Sequence, residues 1–322
     1  MKGLSIGLAF LVVVAFVLSL LAGRVWIPPH EILNTHDDLA RLIVTDLRLP
    51  RSVLALLVGA SLGLSGAVLQ GLTRNPLAEP GLLGVSTGAA LGAVLAIYFG
   101  VTLIAGVGGP LLGLVGALAA CALTFGLAAG GGTITLVLAG AAVSSLTAAG
   151  IALALNFAPN PYAAYEIMNW LLGSLADKSW NQVWLILPFV LAGGALLATT
   201  GRALDALSLG ETQAESLGVN LTRLRIAAIA GTALAVGAAT SVTGAIGFIG
   251  LVAPHLARPF VGHQPSRILL PATLGGALLL LIADIAARLI HVGPELKLGV
   301  FTSLVGTPFF FWLVWKLKRT SP

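Results

Sequence analysis

The chain has 322 residues, of which 57% are hydrophobic and only 9% charged, with a formal net charge of +5. Soluble domains carry about 25% charged residues, so this composition excludes an ordinary soluble globular protein. The small positive balance belongs to a membrane chain and gives no reason to invoke nucleic acid.

Apolar runs of membrane-spanning length, about 20 residues, recur along the chain and predict an all-α polytopic membrane protein with about ten transmembrane helices. The first run, residues 4–22, follows Lys2. It is longer than the apolar core of a signal peptide and lacks a clear A-x-A site, so it reads as a retained first helix. The following spans are expected over 52–72, 82–99, 107–129, 136–155, 182–200, 225–243, 248–260, 268–290 and 299–316, with Pro254 interrupting the short eighth. No stretch is polar enough to be a disordered linker, so residues 1–322 read as a single transmembrane domain. Glycine is abundant, at 40 residues. Gly59, Gly63 and Ala67, and again Gly88, Gly92 and Ala96, recur every four residues. That spacing predicts helices packed backbone to backbone.

Between the second and third spans lies NPLAEPGLLGVSTG, residues 75–88. Pro76 and Pro80 forbid a continuous helix, and Asn75 and Glu79 need partners or water beside a membrane. A plain turn and a cavity-lining break both fit. Residues 59–71, GASLGLSGAVLQG, are echoed by 237–250, GAATSVTGAIGFIG, and each echo meets a proline-containing break. The two helices run in opposite directions, as inverted repeats of transporters do.

Charge sets the expected orientation. With the N-terminus cytoplasmic, the inner side holds Lys2, Arg74, Arg202, Arg223, Arg225, Arg258, Arg267, Lys316, Lys318 and Arg319. The outer side holds Arg24, Arg41, Arg48, Arg51, Lys178, Arg288 and Lys297. Ten against seven is a positive-inside bias, and both termini fall in the cytoplasm.

Several short patterns could suggest chemistry. GLSG at 63–66 and GVSTG at 84–88 imitate serine-hydrolase motifs, but a nucleophile needs a base within reach and the hydrolase elbow needs a preceding strand. No catalytic residue is assigned. His30, His36, His255, His263 and His291 show no metal-ligand spacing, so no metal site is assigned either. Cys121 is the sole cysteine, which excludes an intrachain disulfide. Asp284 and Arg288 stand four apart on one helical face. They read as an ion pair that makes a helix end tolerable, or as a carboxylate orienting an arginine for a partner. No lysine follows a glycine, so the chain has no phosphate-binding loop of its own. It carries no cofactor, and any ATP-Mg must be held by another subunit.

Residues 201–225, GRALDALSLGETQAESLGVNLTRLR, form the longest polar stretch of the inner side. Short helical pieces are expected to end at Gly210 and Gly218. Leu207, Leu209 and Leu217 are apolar knobs that a solvated loop does not need and a docking helix does.

Five segments then carry a resemblance: residues 48–93, LGETQAESLGVN (209–220), GAIGFIGLVAPHLAR (244–258), LLPATLGGALLLLIADIAAR (269–288) and ELKLGVFTSLVGTPFFFWL (295–313). The chain resembles ATP-binding cassette importer permeases of the FecCD type, which move ferric siderophores, haem and cobalamin. The resemblance implies a type II importer in the bacterial inner membrane. Its parts would be a second permease copy, two ATP-binding cassette subunits and a periplasmic substrate-binding protein. By resemblance, Arg48, Arg51 and Arg288 match arginines that dock the binding protein. Asn75, Leu77 and Thr133 match positions that close the pathway on the cytoplasmic side, although Ile134 replaces a polar neighbour. Residues 205–220 match the coupling helices, with Leu209, Gly210, Glu211, Glu215, Leu217 and Gly218 at the ATPase contact. Lys297 departs from the family, which commonly has proline there. The remaining alternative is a stand-alone secondary transporter driven by an ion gradient.

Overall fold

The computed structural model describes residues 2–23, 28, 38–101, 107–290 and 295–320. Regular structure among them is helical. Helix α1 covers Lys2–Leu21. Helix α2, Asp38–Leu42, continues through a π-helical turn, Ile43–Arg48, into α3, Leu49–Thr73. Arg74 then adopts a left-handed conformation (φ 52°), which stops α3 before Pro76. A 3₁₀ turn at Pro80–Leu83 leads into α4, Val85–Tyr98. Helices α5 (Gly108–Leu127), α6 (Thr133–Asn156), α7 (Pro161–Leu171) and α8 (Trp180–Ala198) follow. Next come two short helices, α9 (Gly201–Leu207) and α10 (Glu211–Ser216). The chain closes with α11 (Leu221–Thr243), α12 (Ile249–Ala257), α13 (Pro265–Leu289) and α14 (Leu298–Thr320).

Seven of these helices are long and apolar enough to cross a membrane. Helices α4 and α14 are shorter apolar crossings, and α12 is a nine-residue half-helix entered through irregular backbone at 244–248. Together they make the expected ten or so passes. Two elements lie outside the predicted spans. One is the π-helical extension that lengthens the second span backward from residue 52 to residue 43. The other is α7, whose N-cap Asn160 accepts a hydrogen bond from the Ala163 amide at 2.8 Å, with Pro161 in the first turn. That cap pattern starts a helix without the length to span.

The enclosed helices are α3 and α11, each with 78% of its apolar window buried, against 17% for α1. Small residues make this possible. A Cβ placed on Gly63 would lie 2.1 Å from the Ala272 carbonyl oxygen of α13. One on Gly92 would lie 2.0 Å from the Leu112 carbonyl oxygen of α5. Both four-residue repeats therefore set backbone contact between helices, as their spacing predicts. Cys121 is buried among apolar neighbours on α5.

The two echoing segments end alike. Helix α3 breaks at 74–84 and α11 breaks at 244–248. The two breaks meet: the Phe248 backbone amide lies beside the Glu79 carboxylate. Gly250 approaches Pro80 so closely that a Cβ there would sit 3.1 Å from its ring. The polar groups of the proline-rich turn thus find partners in protein, which irregular backbone at membrane depth requires.

Candidate functional site

The bundle has two polar ends. Because α3 runs from Arg48 to Arg74, the arginines lie at one end and the proline turn at the other. His30, His36 and His291 lie outside the described residues.

At the arginine end, Arg48, Arg51 and Arg288 come together although they span the chain. Arg48 donates through Nη1 to the carbonyls of Leu20 (3.0 Å) and Leu21 (2.7 Å). Arg288 donates through Nη1 to the carbonyls of Ser19 (2.8 Å) and Ala22 (3.2 Å), and through Nη2 to Ser19 Oγ (2.7 Å). The last carbonyls of a helix have no intrahelical partner, so these two guanidinium groups cap α1 and bind it into the bundle. Ser19 Oγ also lies 2.6 Å from Ser52 Oγ.

Asp284 is the centre of this network and is fully buried. It accepts from Arg288 Nε at 2.9 Å, from Arg288 Nη2, and from Arg51 through Nε (2.9 Å) and Nη2 (2.7 Å). The expected Asp284–Arg288 pair exists, with Arg51 as a third member. Arg51 Nη2 also meets the Glu295 carboxylate, whose side chain is 29% exposed. A buried carboxylate is tolerable only when its lone pairs are filled, and two arginines fill those of Asp284. Beside the network lies a recess of about 230 Å³ whose wall includes Arg48, Arg51, Lys178, Arg288, Asp177 and Glu295. Burial lowers the Lys178 pKa below the ordinary lysine value, and Lys297 adds repulsion that Asp177 opposes.

At the other end, the Asn75 side chain builds its own turn. Its Oδ1 accepts from the Leu77 amide at 2.9 Å. Asn75 is exposed and Leu77 half-buried. Thr133, the first residue of α6, donates to Glu211 Oε1 at 2.7 Å. Arg225 Nη2 lies 3.2 Å from the same oxygen, and Arg225 Nη1 donates to the Gly131 carbonyl at 3.1 Å. The Thr133 hydrogen bond comes first among the effects holding Glu211 below the usual carboxylate range. Arg225 and Arg74 add to it and burial opposes it. The start of α6 and the segment 205–220 are therefore joined through one carboxylate. Ile134, beside Thr133, is 78% exposed.

The segment 205–220 forms the two short helices that its glycines predict. Gly210 separates them at φ 119° and Gly218 follows the second at φ 84°. Leu209 (64%) and Leu217 (65%) project outward. Leu207 differs from expectation: it is only 2% exposed, because it shares the inward face of α9 with Leu204. Glu215 is exposed on α10. Asp205 fastens α9 to the start of α13, accepting from the Ser266 amide (2.8 Å), Ser266 Oγ (2.6 Å) and Gln264 Nε2 (2.7 Å). Burial pushes its pKa up, but these donors outweigh burial and hold it below the usual value.

Between the ends, a recess of about 690 Å³ is walled by Leu171 and Leu172, by Ala245 and Gly247, and by one face of α14 including Ser303 and Thr307. The wall is mostly apolar, and hydroxyls are its only polar side chains.

The profile of the FecCD transport family matches residues 11–316. The vitamin B12 import system permease protein BtuC of Salmonella paratyphi A is 40% identical over 316 residues, covering 98% of this chain and 95% of the relative. That of Salmonella typhimurium is 39% identical with the same coverage. A solved structure of an inward-facing ABC transporter of the metal-chelate type superposes with a TM-score of 0.88 at 32% identity, covering 98% of this chain and all of the other. By this sequence match along nearly its whole length, and by a fold shared with a solved transporter, the chain belongs to the FecCD transport family.

Proposed function

We propose that this chain is the permease subunit of an ATP-driven importer that carries a bulky metal chelate inward across a bacterial inner membrane. The observation that carries the reading is the pairing of family membership with two chemically distinct ends on one bundle. The arginine end is the outer face, where a periplasmic binding protein docks through carboxylates. The opposite end is cytoplasmic, and both termini lie on that side. There the exposed Leu209 and Leu217, flanked by Gly210 and Gly218, enter a groove on a separate ATP-binding cassette subunit that holds ATP-Mg, with Glu211 and Glu215 setting the register. A few such anchors dominate interfaces of this kind.

A second copy completes the pathway. Ile134, Leu138 and Leu146 lie on one face of α6 and are all more than 60% exposed. Two such faces meeting about a twofold axis would bring the apolar recesses beside α14 opposite each other. Asn75, Leu77 and Thr133 would then close the cytoplasmic mouth. The chelate passes a wall without fixed charge that releases it. Corrinoids, haem and ferric siderophores share this chemistry, and the vitamin B12 named for the relatives makes a corrinoid the first cargo to test. Proteoliposomes holding the permease, its ATPase and its binding protein should accumulate one of cyanocobalamin, haemin or a ferric hydroxamate with ATP. Accumulation of none of them contradicts the cargo assignment.

A further inference from the structure

The arginines of the outer cluster are already occupied. Arg48 and Arg288 hold the carbonyls of α1, and Arg288 and Arg51 share the fully buried Asp284. An arriving carboxylate cannot displace a buried carboxylate held by two arginines without leaving uncompensated charge. The contact between Arg51 and Glu295 is different. Glu295 is 29% exposed, binds Arg51 through one oxygen, and faces the recess that also holds Lys178. Among the described residues Lys178 forms no ion pair.

Glu295 also stands at a mechanical position. Three residues later α14 begins with the buried Leu298, and the Gly299 amide donates to the Gly173 carbonyl at 3.3 Å. The next turns of α14, through Ser303 and Thr307, form the wall of the central recess. A change at Glu295 therefore reaches the wall of the pathway through one short non-helical stretch, residues 295–297, whose last carbonyl already accepts the first hydrogen bond of α14 from Phe301 at 3.1 Å.

We propose that Glu295 is an internal stand-in for the docking partner: its carboxylate occupies Arg51 in the resting permease, and an acidic side chain of the partner displaces it, pairs with Arg51 and Lys178, and frees residues 295–297 at the start of α14. The proposal rests on the reading of the arginine end as the docking face. It assigns that face a competitor already in place, so apparent affinity falls by the fraction of time Arg51 is covered. If Arg51 is free about a tenth of the time, removing the competitor tightens binding about tenfold.

The test uses the full chain in nanodiscs with Cys121→Ser and a spin label at Lys297→Cys. The probe is the peptide acetyl-(Glu)4-amide, with acetyl-(Gln)4-amide as its neutral control. Glu295→Gln should bind the acidic peptide about tenfold more tightly and should mobilise the label without peptide. In the unmodified site, saturating peptide should mobilise the label to the same degree. Asp177→Asn removes an equal charge from the same recess without touching Arg51, so it should give a much smaller gain and leave the label immobile. If Glu295→Gln is poorly folded, Glu295→Asp keeps the charge, shortens its reach and should give the same trend. Equal salt-sensitive binding by Glu295→Gln and Asp177→Asn, with the label unmoved, overturns the stand-in while leaving the docking face in place. No binding of the acidic peptide to any variant removes the docking face and the stand-in together.

Discussion

The two ends of the bundle handle charge in opposite ways. At the arginine end the charges are buried and mutually satisfied, with Asp284 fully enclosed between Arg51 and Arg288. At the opposite end the central carboxylate, Glu211, remains 32% exposed and holds one threonine and one arginine. In the interior a carboxylate held by two arginines is costly to disturb. Near water, ion pairs form and exchange cheaply. The first end suits a fixed frame onto which something docks, and the second suits contacts that must be remade in every cycle.

Removing the hub of the buried end should have the largest effect. Asp284→Ala leaves Arg288 buried without its carboxylate and Arg51 with only the partly exposed Glu295, a change that typically costs about 3–5 kcal/mol. The detergent-solubilised variant should melt far below the parent or fail to accumulate. An unchanged melting temperature would mean that the network is not what holds this end together.

Leu217→Asp addresses the other end. Leu217 is 65% exposed, so the fold has little to lose, but a buried interface anchor is worth about 2 kcal/mol or more. Melting should stay at the parental value while co-purification of the ATPase, or uptake per ATP hydrolysed, falls at least about tenfold. Normal assembly and uptake would place the coupling contact elsewhere.

A smaller effect is expected from Thr133→Val, which keeps the shape and removes the hydrogen bond to Glu211. Loss of one such bond costs about 1 kcal/mol. Stability should barely change, while the basal ATPase of the assembled complex should become less responsive to substrate. If Thr133→Val responds as the parent does, the Thr133–Glu211 link carries no signal between α10 and α6.

The smallest effect concerns pH. Glu211 is held below the usual carboxylate value in the folded chain, so its contribution is complete above the unfolded value of about 4.3 and disappears as pH falls through the folded value. No change in the exchange of α10 amides is expected near neutrality. Faster exchange should begin only below about pH 4. Loosening between pH 6 and 7 would implicate a different group.

Much of this contrast is legible in the sequence. The apolar runs and four-residue glycine spacing mark the helices and their close contacts, and Gly210 and Gly218 mark the ends of the two short helices α9 and α10. The Asp284–Arg288 pair is visible because it lies within one helical turn. Arg51 joins Asp284 across 233 residues and Glu295 across 244, a closure that no local pattern encodes. The same holds for Thr133 and Glu211, 78 residues apart. Other differences had a signal. Asn160 followed by Pro161 announces α7, and the three-residue spacing of Leu204 and Leu207 turns Leu207 inward with its neighbour. The π-helical turn at Ile43–Arg48 has no comparable mark.

The most direct test of the account is uptake with one energy source at a time. Proteoliposomes containing the permease, its ATPase and its binding protein should accumulate chelate only when ATP is present on the cytoplasmic face. The permease alone should be inert under an imposed proton or sodium gradient, and Leu217→Asp should abolish the ATP-driven signal in a folded protein. Gradient-driven accumulation by the permease alone, unaffected by Leu217→Asp, would contradict the account and identify a secondary transporter.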